Sequence, residues 1–91
     1  MKTIHKYLLH GTSETKFVAP VGAQILSTGC QGKDQLVVWV ELDPSIKDTQ
    51  IYNVSVYGTG WELPDNPGRF IATVIDSSGF VWHIYEASWQ P

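Results

Sequence analysis

Three histidines, one cysteine and nine carboxylates are the groups with which this 91-residue chain could do acid–base, nucleophilic or metal chemistry. Their spacing argues against all three. His5 and His10 fall on opposite faces of one extended run, and His83 stands near the other end of the chain. No pair has the i, i+2 or i, i+4 separation that puts two imidazoles on one metal, and Cys30 is a lone thiol. Histidines on the surface or held by hydrogen bonds are expected instead, and no metal. Ser, His and Asp all occur, but without the Gly-x-Ser-x-Gly turn that thrusts a serine outward. Cys30 and His83 would form a nucleophile pair only if the fold joined them, and a cysteine inside a strand reads as buried and structural. Glu41, Glu62, Glu86, Asp65 and Asp76 show no spacing that pairs an acid with a base. The chain is read as a non-enzyme without a cofactor.

Binding chemistry has a better candidate. The segment Gly58–Gly68 (GTGWELPDNPG) is the longest irregular stretch and carries three Gly and two Pro. Loops of about eleven residues without their own secondary structure are uncommon in compact domains and often functional. Gly58, Thr59 and Gly60 could bring backbone N–H groups to a phosphate, although the Lys and the helix of a phosphate loop are missing. Trp61 could stack on a base and Arg69 could pair with a phosphate. Trp61 with Glu62 and Asp65 could equally meet a protein surface. A third reading makes Trp61 a lid folded over an open end of a small core.

The elements that must position these residues are strands. No segment sustains a 3.6-residue period, whereas period-two runs recur. Strands are expected at Lys2–His10, Glu14–Val18, Gln24–Gln31, Gln35–Leu42, Ile51–Gly58, Phe70–Asp76 and Phe80–Glu86. Gly29 suggests a bulge or a close backbone approach. Gly32-Lys33-Asp34 and Asp76-Ser77-Ser78-Gly79 read as hairpin turns. Leu36, Val38, Val40 and Leu42 form a core face, joined by Val54, Val74 and Ile84; Tyr52 and Val56 also face inward. Ile46–Gln50 has room for one helical turn. The fold class is all-β: a small β-sandwich or partly open barrel of six to seven short antiparallel strands, one domain over 1–91 with a frayed tail at 87–91, where Trp89 could dock.

Composition narrows the partners. Hydrophobic residues make up 43% of the chain and charged residues 16%, which is a folded composition with few charges to cover its surface. Net charge is −3 and the six bases are scattered, so general nucleic-acid binding is not expected. A single cysteine excludes an intrachain disulfide and favours a reducing compartment. The run Met1–Lys6 opens no long apolar stretch, so neither a signal peptide nor a membrane span is expected.

Lys6-Tyr7, Pro20–Ser27 (PVGAQILS), Trp39, Gly58-Thr59-Gly60 and Phe80–Glu86 (FVWHIYE) together resemble a family of short phage-encoded proteins carried as a domain of unknown function. The resemblance covers most of the chain and brings no catalytic residues with it; Trp61–Asn66 lies outside it. It implies a phage accessory protein in the bacterial host cytoplasm. The leading expectation is a binding protein that inhibits a bacterial antiphage defence by contact with a host protein. A homo-oligomeric sponge for a nucleotide immune signal, built on Gly58–Trp61 and Arg69, is the alternative, and a minor structural virion protein the third. Val37 and Trp39, on the less aliphatic face of a central strand, suit a homo-oligomer interface. Light scattering at micromolar concentration is expected to give a dimer mass, and a monomer mass would count against that interface.

Overall fold

Seven antiparallel strands in two sheets make up the computed structural model, which describes residues 1–10 and 14–87. They are β1 (Thr3–Leu8), β2 (Thr15–Pro20), β3 (Gln24–Gln31), β4 (Gln35–Leu42), β5 (Thr49–Gly58), β6 (Arg69–Ile75) and β7 (Val81–Glu86). One sheet has the order β1-β4-β3 and the other β2-β5-β7-β6. The architecture is a small β-sandwich. Among the described residues there is no helix, and so none long and apolar enough to cross a membrane.

Period-two patterning is what closes the sandwich. On β4, Leu36, Val38, Val40 and Leu42 point inward; on β5, Tyr52, Val54 and Val56 do the same, with Ile84 from β7. Val38, Val40, Val54 and Ile84 have no exposed surface. Val74 lies at the margin of this cluster, partly buried and packed against it.

Each side of the sandwich carries its own fastening. On one side Tyr7 of β1 stacks on Phe17 of β2 at 4.2 Å between centroids, and Phe17 stacks on Tyr52 of β5 at 5.5 Å. On the other, the two hairpin turns meet. Asp34, at φ 61°, accepts hydrogen bonds from the Ser77 backbone N–H (3.0 Å) and hydroxyl (2.7 Å). The Tyr52 hydroxyl secures the β2–β3 turn by accepting from Ala23 N–H and donating to the Pro20 carbonyl.

Sequence and structure differ between β4 and β5. Ile46–Gln50 holds no helical turn, because Thr49 and Gln50 are already in β5, paired with Pro20 and Ala19. The β3 bulge falls between Ile25 and Ser27, not at Gly29. Of the two expectations for Gly29, the close approach is the one found: a Cβ there would sit 3.2 Å from the Trp39 ring. Strand β5 pairs with β7 across the sequence of β6, an order that the strand pattern leaves open.

Val38→Ala should cost about 1–3 kcal/mol, from lost burial plus the cavity left in a small core. Ile75→Ala, at a side chain 66% exposed on the outer face of β6, should change stability little. Urea denaturation of the two variants measures the contrast, and equal losses would contradict the face assignment.

Candidate functional site

Gly58 ends β5 and stands opposite Trp82 at the start of β7. The chain then turns sharply, with Trp61 N–H donating to the Gly58 carbonyl at 3.1 Å and Gly60 at φ 85°. This turn lays the Trp61 indole back over Gly58, where a Cβ would sit 2.7 Å from Trp61 Cε2. Gly58 is therefore needed for close approach of a ring. Trp61 also meets the Trp82 edge-on, at 5.9 Å and 80°, and Phe80 lies 6.1 Å from Trp82 on a tilted plane. Together with Thr59, Gly79 and Val81 these residues line a hollow of about 460 Å³. Trp61 remains 48% exposed and Phe80 62%, so the cluster both closes an end of the sandwich and presents aromatic surface.

Two hydrogen-bonded groups hold this end in place. His83 is bonded through both ring nitrogens, Nε2 to the Thr59 hydroxyl (2.8 Å) and Nδ1 to the Thr73 hydroxyl (3.0 Å), which fixes the loop entry against β6. Asp76 organises the β6–β7 turn. Its carboxylate accepts from Trp82 Nε1–H at 3.0 Å and from the backbone N–H groups of Ser78 (2.9 Å) and Phe80 (3.0 Å). The Trp82 bond foremost, then the backbone bonds, against an opposing effect of desolvation, hold its acidity below the usual carboxylate range.

The other expected site residues are dispersed. Arg69, at the start of β6, pairs with Glu86 at 2.6 Å. Glu86 is four residues beyond Trp82 on β7, about 13 Å along the strand. Arg69 lines a separate hollow with Ala23, Gln24, Ile25 and Glu86. The nucleotide pocket built from Gly58–Trp61 and Arg69 is thus not assembled in the single chain. The return of the loop to β6 is fixed by Gly68, at φ 95°, where any Cβ would collide with the Glu86 carbonyl oxygen. Glu62 and Asp65 are solvent-exposed on the loop. Leu63, between them, is 42% exposed.

Of the expected interface pair, Val37 has no exposed surface in the single chain and so offers no area to a partner. It lies between Leu8 and Gly29 on the outer face of its sheet. Trp39, half-buried across Gly29, shares that face with exposed Ile4 and Leu8. Trp89 lies outside the described residues. Cys30 packs against the core and His83 faces outward from the opposite sheet, so no nucleophile pair forms. Burial, followed by the charges of Asp34 and Asp76, pushes the Cys30 thiol up, away from the reactive thiolate. No group of three or more His, Cys, Asp or Glu suited to a metal occurs among the described residues.

The sequence pattern gives Phe80 and Trp82 no role beyond membership of the run Phe80–Glu86. Their part in the hollow follows from the β5–β7 pairing that sets Gly58 beside Trp82, which a strand pattern does not encode. The available signal was the turn Asp76–Gly79, which delivers Phe80 and Trp82 to the same end as the Gly58 loop.

Fold and site together define a two-sheet β-sandwich with one aromatic-lined end. The chain belongs to the family described as a domain of unknown function (DUF7352), matched over residues 1–90. No curated protein and no solved structure matches it significantly.

A carboxylate whose folded acidity is stronger than its unfolded value stabilises the fold above the unfolded pKa of about 3.9, and that contribution is lost as pH falls through the folded value. Acidification below about pH 4 should therefore loosen the β6–β7 turn and change the Trp82 fluorescence. Asp76→Asn should lack this part of the acid transition; an unchanged acid profile would remove the role given to Asp76.

Proposed function

We propose that the chain is a phage accessory protein that acts by binding, inhibiting a bacterial antiphage defence in the host cytoplasm through contact between its aromatic end and a host protein. The observation that carries the contact surface is the grouping of Trp61, Leu63 and Phe80, each 42–62% exposed, on and beside one loop-built end of the sandwich. Large aromatic side chains half-open to water at a rigid site are the usual anchors of protein interfaces. Pro64 and Pro67 limit the loop's freedom, so less entropy is lost on binding. The phage setting is supported by the resemblance of Pro20–Ser27 and Phe80–Glu86 to short phage-encoded proteins. The nucleotide sponge draws less support, because Arg69 is engaged by Glu86 away from the hollow.

The test is a pull-down from phage-infected cells with mass spectrometry of the protein and small-molecule fractions. The wild-type chain should retain a host protein that both Trp61→Ala and Leu63→Ala lose. Leu63→Ala should keep its melting temperature, which separates lost contact from lost folding. Retention of the same host protein by both variants, or recovery of a nucleotide in its place, would overturn this reading.

A further inference from the structure

We infer that the hollow between Trp61, Phe80 and Trp82 receives a cationic side chain of the partner, an arginine guanidinium. The inference rests on the reading of the aromatic end as a contact surface and names the chemistry that it selects. Three aromatic rings converge on the hollow, with Trp61 and Phe80 each in contact with Trp82. Trp faces are the strongest of the side-chain π surfaces toward a cation, and the planar guanidinium stacks on them as an ammonium does not.

The surrounding charge points the same way. None of the residues that line the hollow is charged. Asp76 supplies the negative potential without occupying the space, because its carboxylate is bonded to the indole N–H of Trp82. An anion on that edge makes the ring faces more negative, which strengthens their attraction for a cation. Glu62, next to Trp61 in the loop, is solvent-exposed and adds to the same field. None of the six bases lines the hollow: Lys2 pairs with Glu41, Lys16 with Glu14 and Arg69 with Glu86, and Lys6 donates to Gln31. Lys33 sits in the turn tied to Ser77 but does not line the hollow. An anionic guest would meet the Asp76 carboxylate behind Trp82, and no base lines the hollow to receive it. A purely aliphatic guest would gain nothing from the carboxylate behind Trp82.

Titrating the whole chain with acetyl-glycyl-arginyl-glycinamide tests this, with the indole N–H resonances of Trp61 and Trp82 as the readout. The controls are the same peptide with citrulline, a neutral near-isostere of arginine, the same peptide with leucine, and adenosine monophosphate. The arginine peptide should shift both indole signals and bind about two- to fivefold more tightly than the citrulline peptide, a factor that shrinks with added salt. Asp76→Asn keeps an acceptor for the Trp82 N–H but loses the charge, so it should narrow that factor. Trp61→Leu should abolish the preference for arginine, read at the Trp82 indole, and Asp76→Asn gives the same test with both rings in place. Equal binding of the arginine and citrulline peptides, or tighter binding of the leucine peptide, would overturn the cationic guest and leave the contact surface standing. Tighter binding of adenosine monophosphate than of any peptide would overturn both.

Discussion

Val38 and Val40 from one sheet meet Val54, Val56 and Ile84 from the other with at most 2% of any of them exposed, and the placement of every other residue depends on that aliphatic layer. A chain of this size buries a smaller share of its surface than a larger domain would, so little of its core is redundant. Its single cysteine allows no internal covalent staple. The fastenings on the two sides, Tyr7–Phe17–Tyr52 on one and Asp34–Ser77 on the other, lie around the layer and fix how the sheets sit on it. Surface ion pairs such as Lys2–Glu41 and Lys16–Glu14 are exposed and contribute little.

The aromatic end is a consequence of this economy. A core of short strands leaves an open end, and Trp82, partly buried, fills it from inside. Trp61 then covers Trp82 yet stays 48% exposed. The Trp61 indole thus has a packed side and an open one. The side toward Gly58 and Trp82 is structural, and under the proposed function the open side is the one that meets a partner.

Much of the scaffold was legible in the residues. Alternation from Gln24 to Leu42 placed both strands of the first hairpin at their observed ends, since Gly32 and Asp34 supply the left-handed turn conformations. The inward faces of β4 and β5 followed from branched aliphatics at every second position. Less could be read where local signals are silent. Polar Thr49 and Gln50 looked like a connection, yet they extend β5 because Pro20 and Ala19 lie alongside to pair with them. Val37 looked like interface because its face also carries Trp39 and Glu41, whereas the absence of a side chain at Gly29 lets the Trp39 ring lie down beside it. Arg69 is near the Gly58 loop in sequence but opposite Glu86 in space, a separation set by the β6–β7 register.

The four outer strands of the two sheets, β1, β2, β3 and β6, each carry an interruption. Lys2 precedes and Lys6 lies within β1, Pro20 ends β2, and bulges break β3 between Ile25 and Ser27 and β6 between Phe70 and Ala72. Unpaired strand edges are templates for adding further chains, and lysines, prolines and bulges are what blunt them. Among the described residues no helix caps the sheets, so these interruptions are what the edges have against strand addition. A further strand laid on those edges would meet a lysine, a proline or a bulge where it needs an unbroken ladder.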